Sequence, residues 1–205
     1  MDALAKPVLP FRLFALGVFI ALLLPVLFMD GMFMDGQIYA AVSHNLAEGR
    51  GTFWDPTFSS AYMTSYHEQP PLLFGMESLL FRLCGSSLYT ERIFCLLTAL
   101  LTAAGMIRVW RLIHHNSQER NMEWWPVLLW IVMPVVFWAY PNHVEEGTMA
   151  VFAVFAVVVQ LRAFRGNRLL FLVLSGLLLV GASMCKGVQG LFPLVFPLLY
   201  ALIAR

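Results

Sequence analysis

The chain has 205 residues, of which 60% are hydrophobic and 12% are charged, and its formal net charge is +1. About a quarter of the residues of a soluble domain are charged, so this composition excludes a soluble protein and indicates a helix bundle in a bilayer. No basic run or stripe is present to neutralise a phosphate backbone, which excludes nucleic acid as a partner. Cys84, Cys95 and Cys185 lie in apolar contexts and match neither a disulfide framework nor a metal motif.

Six apolar runs have at least nearly the length needed to cross a bilayer, which is about 20 residues. They predict transmembrane helices at about 11–29, 93–113, 124–140, 145–161, 169–185 and 188–204. The first run ends without the small residues of a cleavage site, so we expect an uncleaved helix there rather than a signal peptide. The sequence therefore predicts an all-α polytopic membrane protein that forms one domain over residues 1–205.

Lysine and arginine are distributed unevenly between the two sides of the predicted bundle, and this bias sets the orientation of a membrane protein. With the N-terminus inside, the cytoplasmic basic residues are Lys6, Arg12, Arg108, Arg111, Arg120, Arg162, Arg165, Arg168 and Arg205. The other side has only Arg50, Arg82, Arg92 and Lys186. We therefore expect a multi-pass protein with a cytoplasmic N-terminus and the long loop 30–91 on the outer face.

The outer loop is much longer than an ordinary connection, and loops of this length are commonly functional. Its first part, about 35–48, starts at Asp35, ends before Gly49 and has an apolar face with a helical period. That face consists of Ile38, Val42 and Leu46. We therefore predict a short helix with Asp35 in its first turn.

A second helical pattern follows the two prolines of the loop, at about 71–84. Its apolar face is formed by Leu72, Leu73, Met76, Leu79, Leu80 and Leu83. Glu77, Ser78 and Arg82 lie off that face. Because the segment is too short to span, we expect an interfacial helix that lies in the plane of the membrane surface.

Polar side chains that could carry chemistry gather on the predicted outer face. They are Asp35, His67, Glu68, Asn142, His143, Glu145, Glu146 and Lys186. A carboxylate there could act as a general base on an acceptor hydroxyl or amine. A lysine or arginine could hold the phosphate of a lipid-linked substrate. Asp35 also has a structural interpretation, as a helix N-cap, and the residues alone leave both roles open.

His143, Glu145 and Glu146 together have the composition of a metal cluster, but no pair of histidines at i and i+4 supports one. The two glutamates are equally explained by the macrodipole of a helix that starts there. We therefore assign no cofactor and keep a divalent metal as an alternative. Lys186 lies between two apolar runs, which is costly unless its ammonium group reaches a partner or the headgroups. Arg92, beside Glu91, is either an interface anchor or half of an ion pair.

Several short segments together resemble a known family. They are Asp35-Gly36-Gln37-Ile38-Tyr39, Asn45-Leu46-Ala47-Glu48-Gly49, His67-Glu68-Gln69-Pro70-Pro71-Leu72, Arg82-Leu83-Cys84-Gly85, Glu91-Arg92, and Cys185-Lys186-Gly187-Val188-Gln189-Gly190-Leu191-Phe192-Pro193. Their order and spacing resemble the polyprenyl-phosphate-sugar glycosyltransferases of the GT-C fold. This group includes the protein O-mannosyltransferases and the lipid A aminoarabinose transferases.

The resemblance implies transfer of a sugar from a polyprenyl-phosphate donor to a lipid, glycan or protein acceptor on the non-cytoplasmic face. On this basis we expect the protein in the bacterial inner membrane. It implies that Asp35 is the catalytic base of an inverting reaction, that Glu68 lines the same cavity, and that Lys186 holds the donor phosphate. The substrate-binding residues that we assign on this basis are Tyr39, His67, Glu68, Arg92, Glu145 and Lys186.

The chain departs from the family pattern at two places. Many members have Asp-Glu at the position of Asp35-Gly36, and members close to the aminoarabinose transferases have Glu-Lys-Pro at the position of Glu68-Gln69-Pro70. A neutral glutamine does not neutralise a phosphate, so the donor contacts fall to Lys186 and an arginine. Family enzymes continue for several more spans. The chain therefore resembles their N-terminal half, and we expect a second chain or a further C-terminal region as its partner.

A non-catalytic membrane protein is the alternative interpretation. It would be a degenerate relative that binds a lipid-linked sugar, or a subunit used in transport or assembly. A transporter is expected to have ionisable groups near the bilayer midplane or paired broken helices. The charges of this chain gather at the ends of the apolar runs, which favours the transferase.

Overall fold

The computed structural model describes residues 8–114, 116–164, 166 and 168–203. Its helices are α1 (Leu9–Leu27), α2 (Met34–Ala47), α3 (Leu72–Cys84), α4 (Leu88–Ile113), α5 (Ser117–Arg120), α6 (Trp124–Ile131), α7 (Pro134–Ala139), α8 (Glu145–Ala163), α9 (Arg168–Lys186) and α10 (Val195–Ile203), with a 3-10 helix over Gly187–Leu194. Over these described residues the extended pairing is limited to two isolated bridges. The predicted all-α class is confirmed. Of the predicted cytoplasmic residues, Lys6, Arg165 and Arg205 lie outside the described residues.

Four helical segments of the described chain are long and apolar enough to cross a membrane. They are Leu9–Leu27, Leu88–Ile113, Glu145–Ala163 and Arg168–Tyr200. The second begins five residues before the predicted 93, because Ser87 caps it: its side chain accepts a hydrogen bond from the amide of Tyr89 at 3.2 Å. These segments make the protein an integral membrane protein.

The segment Arg168–Tyr200 reverses its direction within its own length. Gly187 has a φ of +62°, a left-handed conformation that glycine adopts without strain. A Cβ atom on Gly190 would lie 2.3 Å from the carbonyl carbon of Ala182, so the chain folds back against the end of α9. Further on, the ring of Tyr200 stacks on Phe164 with 4.2 Å between centroids. The reversal lies between the predicted spans 169–185 and 188–204, and the second leg starts as a 3-10 helix rather than as an α-helix.

The predicted span 124–140 is interrupted. Helix α6 ends at Ile131, and α7 starts at Pro134 after Met133, which has an extended conformation with ψ of 125°. Proline has no amide hydrogen and its ring disfavours a helical conformation at the preceding residue. Two short helices therefore replace the single predicted one.

Aromatic contacts and ion pairs define the two ends of the bundle. Phe11, near the start of α1, stacks on Trp124 at the start of α6 with 5.1 Å between ring centroids. At the same end, Arg12 and Arg111 both pair with Glu123, at 2.6 Å and 2.9 Å. Helices α2 and α3 lie at the other end, which we call the loop end. Arg12 and Arg111, which were predicted to share one side of the membrane, thus share one end of the bundle.

Helices α2 and α3 pack on each other and on α4 around a small apolar core. The buried members of this core are Tyr39, Val42, Leu46, Tyr66, Leu73, Phe74 and Phe94. Arg82 of α3 donates to the carbonyl oxygens of Leu46 and Ala47 at 3.2 Å and 3.3 Å. These bonds satisfy carbonyl groups that the C-terminus of α2 leaves free.

Helix α3 packs on the protein with Leu73, Phe74 and Phe81 together with two polar residues, Glu77 and Ser78. Glu77 is fully buried and Ser78 is 4% exposed, whereas Leu79 and Leu83 on the predicted apolar face are 57% and 83% exposed. Glu77 lies off the predicted apolar face, as the sequence indicated, and yet it is buried. The reason is that this side of α3 packs against the rest of the bundle.

Candidate functional site

Polar side chains from four segments of the chain lie close together at the loop end. We call this group the polar cluster; its members are Asp35, Tyr39, Tyr66, Glu68, Glu145, Glu146 and Lys186. Asp35 and Tyr39 belong to α2, Tyr66 and Glu68 to the loop before α3, and the other three to the ends of α8 and α9. Five of the seven residues assigned to the site from sequence lie in this cluster: Asp35, Tyr39, Glu68, Glu145 and Lys186.

Lys186 is held by two carboxylates at the start of α8. Its Nζ donates to Oε1 of Glu145 at 3.0 Å and also to Glu146. Glu145 is 5% exposed, while the side chain of Glu146 is 49% exposed. Lys186 therefore has one buried partner and one partner that water, or a ligand, can reach.

Tyr39 connects α2 to this ion pair. Burial raises the pKa of its hydroxyl, and the hydrogen bond and negative charge of Glu145 raise it further. The pKa of Tyr66 is raised in the same way: burial has the largest effect, and the negative charges of Glu68, Glu145 and Asp35 add to it. Both phenols are therefore hydrogen-bond donors in the physiological range, facing carboxylates.

Asp35 is the second residue of α2 and is half-buried. The N-cap position belongs to Phe33, which has no side-chain cap bond, so the interpretation of Asp35 as an N-cap is wrong. Over the described chain, no hydrogen bond or ion pair engages its carboxylate; its charge acts on Tyr39 and Tyr66. The carboxylate is therefore available to an incoming group.

The turn before α8 fixes the first turn of α2. The amide of Phe33 donates to Oδ1 of Asn142 at 2.8 Å. A Cβ atom on Gly36 would lie 2.2 Å from the backbone oxygen of Asn142, so only glycine permits this approach. The Asp-Gly that departs from the family pattern thus has a structural reason, because the turn occupies the space of any larger side chain.

His143 and Glu77 form a buried pair that sequence reasoning missed. Nε2 of His143 lies 3.3 Å from Oε1 of Glu77, and the two side chains are 2% and 0% exposed. Burial raises the pKa of Glu77 to about 8, against a smaller opposing effect of the Ser43 hydroxyl. Burial likewise lowers the pKa of His143 to about 4, while its contact with the carbonyl of Gly36 acts in the opposite direction. Both groups are therefore neutral near pH 7.

Two residues assigned to the site from sequence lie apart from the polar cluster. Arg92 is 7% exposed and donates to the carbonyl oxygens of Pro141 at 3.0 Å, of Met29 at 3.2 Å and of Gly31. It fastens the connections before α2 and α8 to α4. His67 is exposed and pairs with Asp55 at 3.1 Å. Substrate contact by these two residues stays a prediction.

A cavity of about 610 Å³ opens on the other side of α2. Gln37, Ala41 and His44 line it, whereas Asp35 and Tyr39 lie on the opposite face of the helix. Glu91 of α4 and Ser87 contribute further polar groups to the lining. Helix α2 thus separates this open cavity from the polar cluster.

Metal binding was left open from sequence on the basis of His143, Glu145 and Glu146. In the described part of the chain, no group of three or more His, Cys, Asp or Glu side chains is arranged to hold a metal ion. His143 pairs with Glu77, whereas Glu145 and Glu146 both pair with Lys186, so the histidine and the two glutamates face different partners.

Comparison of the chain with protein-family models, curated proteins and solved structures finds no match. The resemblance of its short motifs to polyprenyl-phosphate-sugar glycosyltransferases therefore stays a prediction. What the geometry offers chemically is a free carboxylate, two phenol donors and one ammonium group around a half-buried surface.

Proposed function

We propose that the protein is a membrane glycosyltransferase that moves a sugar from a polyprenyl-phosphate donor to an acceptor hydroxyl or amine on the non-cytoplasmic face. The observation that carries the proposal is that Tyr39, one turn after Asp35 on α2, joins this helix to Glu145 and its partner Lys186. Asp35 and Tyr39 are more than 100 positions away from Glu145 and Lys186 in the sequence. Their convergence at the loop end supports a site whose parts were selected together.

In the proposed reaction Asp35 takes the proton of the acceptor as its oxygen or nitrogen attacks the anomeric carbon of the sugar. The bond between that carbon and the phosphate oxygen breaks, and polyprenyl phosphate leaves with both electrons of the bond. The attack from the opposite side inverts the anomeric centre. Asp35 suits the role of base because no protein group in the described chain occupies its carboxylate.

Lys186 is the proposed contact of the donor phosphate. Its ammonium group is shared with Glu145 and Glu146, so a phosphate oxygen would replace the exposed Glu146 and leave the buried Glu145 in place. Tyr39 and Tyr66 would donate hydrogen bonds to sugar hydroxyls or phosphate. The cluster has four acidic side chains to one lysine, and this excess favours a sugar that carries an ammonium group.

We further propose six spans, with the loop end on the outer face and α3 in the plane of the interface. The reversal at Gly187 supports a fifth and a sixth span on either side of it. The two short helices α6 and α7 together support the third span. The exposed Leu79 and Leu83 of α3 support an interfacial position, because a membrane surface would cover them.

A second candidate is a non-catalytic protein that binds or moves a lipid-linked sugar. It is favoured by the interrupted helix at Met133 and Pro134 and by the 3-10 segment after Lys186. Broken helices of this kind line substrate sites in transporters. The two candidates differ in whether the bound donor is consumed.

The test separates binding from turnover with the native gene product in proteoliposomes. Polyprenyl-phosphate sugars with and without an amino group are added, and bound donor and released polyprenyl phosphate are measured. For Asp35→Asn we expect unchanged donor binding and turnover reduced by about 100-fold or more. Asp30→Asn, which changes an exposed aspartate of the same loop, should turn over donor as wild type does.

Equal turnover by wild type and Asp35→Asn would show that Asp35 is not the base. Donor binding without turnover in the wild type would favour the second candidate. Absence of both binding and turnover for every donor would overturn the proposed function.

A further inference from the structure

The far end of the bundle contains a groove that the proposed reaction does not use. It encloses about 430 Å³ between α1, α4 and α6, within the range of about 300–1,000 Å³ typical of small-ligand pockets. Its wall is almost entirely aliphatic and aromatic: Ala15, Leu16, Phe19, Leu100, Ala103, Ala104, Ile107, Trp124 and Val127. Such a lining suits a hydrocarbon chain.

Two arginines and one glutamate form the mouth of this groove. Nη2 of Arg12 and Nη2 of Arg111 both contact the same oxygen, Oε1 of Glu123, at 2.6 Å and 2.9 Å. The glutamate side chain is only 5% exposed, while the arginine side chains are 43% and 49% exposed. The carboxylate thus lies beneath two guanidinium groups that face outward.

This arrangement leaves a net positive charge at the mouth. Two guanidinium groups share a single carboxylate, and in the described chain their remaining N–H groups have no other acceptor. Arginine presents five N–H donors in a fixed fork that matches phosphate oxygens. The mouth is therefore complementary to an anion that carries a phosphate.

Aromatic residues place the mouth at the depth of lipid headgroups. Trp124 lines the groove and stacks on Phe11, and Trp125 is adjacent to it in sequence and packs edge-on at 5.6 Å. Trp110 of α4 donates its indole N–H to the carbonyl of Glu119 at 2.8 Å. Tryptophans concentrate at membrane–water interfaces, where a phospholipid headgroup lies beside its own chains.

We propose that this groove is a binding site for an anionic phospholipid, with an acyl chain between α1, α4 and α6 and the phosphate on Arg12 and Arg111. The charge of the mouth favours an anionic headgroup over a zwitterionic one. Basic pockets between transmembrane helices bind anionic lipids in this way. The site lies at the end opposite to the polar cluster and does not depend on the proposed transferase activity.

The test uses the native gene product in detergent, titrated with dioleoylphosphatidylglycerol or dioleoylphosphatidylcholine, with lipid adducts counted by native mass spectrometry. We expect phosphatidylglycerol to be retained about tenfold more strongly than phosphatidylcholine. Arg12→Gln/Arg111→Gln should abolish the preference. Arg50→Gln/Arg82→Gln, which removes two exposed arginines at the loop end, should keep it.

Because the double arginine variant leaves Glu123 buried without a cation, the triple variant with Glu123→Gln is measured beside it.

Ala104→Phe tests the apolar groove itself, because the new ring fills the apolar space while both arginines stay in place. We expect this variant to lose the lipid adduct. A competition experiment with inorganic phosphate distinguishes binding of the whole lipid from binding of a phosphate group alone. We expect that inorganic phosphate, at the same concentration as the lipid, does not displace phosphatidylglycerol. Equal retention of the two lipids, an unchanged preference in the triple variant, full retention by Ala104→Phe, or competition by phosphate at equal concentration would each overturn the proposal.

Discussion

Oε1 of Glu77 and Nε2 of His143 face each other at 3.3 Å in the interior of the loop end. At this separation a protonated Glu77 can donate to Nε2 of a His143 that carries its proton on Nδ1, which faces the carbonyl of Gly36 at 3.4 Å. One buried pair of neutral groups thus joins α3 to the turn before α8 and to α2. Because folding moves the pKa values of both groups away from their ordinary values, the stability of the protein depends on pH.

We expect the apparent melting temperature to be nearly constant between about pH 4.5 and 6.5 and to fall from there to about pH 8. The pKa of Glu77 is raised from 4.5 to about 8 by burial, so its contribution to stability is lost as pH rises across this range. The pKa of His143 is lowered from 6.5 to about 4, so its contribution is lost as pH falls from 6.5. Between pH 4.5 and 6.5 the contribution of Glu77 to stability falls with pH while that of His143 rises, so the two changes offset each other.

Glu77→Gln should remove the fall above pH 6.5 and uncover the rise between pH 4 and 6.5 that belongs to His143. The variant keeps the shape of the side chain and cannot ionise. Thermal unfolding in detergent, followed by intrinsic fluorescence across this pH range, measures both. A variant with the same alkaline fall as wild type would show that Glu77 is not its origin.

Gly36→Ala should unfold at a lower temperature and should impair any activity that needs Asp35. The new methyl group would meet the backbone oxygen of Asn142 at 2.2 Å, and overpacking of this kind costs about 1–3 kcal/mol. Gly17→Ala in α1 is the matched control, because nothing lies within 4 Å of its Cβ position. The control should be neutral or more stable, by about 0.5–1 kcal/mol; equal behaviour of the two would contradict the close approach.

Arg92→Lys should destabilise the protein although the charge is kept. The guanidinium group reaches the carbonyls of Pro141, Met29 and Gly31, and a single ammonium group cannot replace all three bonds. Hydrogen bonds to charged groups contribute about 1.5–3 kcal/mol each, so we expect a loss of about 2 kcal/mol or more in the free energy of unfolding. Arg50→Lys, at an exposed arginine, should change stability by less than about 1 kcal/mol.

Lys186 has both a structural and a proposed binding role, and two variants separate them. Lys186→Gln leaves the buried Glu145 without its cation, which costs about 3 kcal/mol or more. Adding Glu145→Gln should restore the melting temperature but not the binding of a polyprenyl-phosphate sugar. Donor binding that returns together with stability would exclude Lys186 as the phosphate contact.

The helical fold class and the positions of the apolar runs follow from the composition and from the periodicity of the apolar residues alone. The sequence also indicated the short helix with Asp35 in its first turn, which the structure has at Met34–Ala47. The break before Pro134 and the 3-10 segment after Lys186 were missed, because proline was counted as part of an apolar run. Its effect on the backbone is local and could have been read from the sequence.

Contacts between distant segments could not be predicted in the same way. Glu77 has the sequence signature of a solvated residue, and only the packing of α3 against the turn at His143 buries it. The carbonyl contacts of Arg92 are equally invisible, because backbone acceptors have no sequence code. A signal was present for Gly36, since a glycine early in a helix is unfavourable unless close packing requires it.

The hydrogen bond that holds the start of α2, next to Asp35, joins two residues that are synthesised at different times. The amide of Phe33 is held by Asn142, which is synthesised 109 residues later. At a translation rate of about 5–20 residues per second, the start of α2 emerges about 5 to 20 s before its anchor exists. Until Asn142 is synthesised, this hydrogen bond cannot hold the first turn of α2, where Asp35 lies.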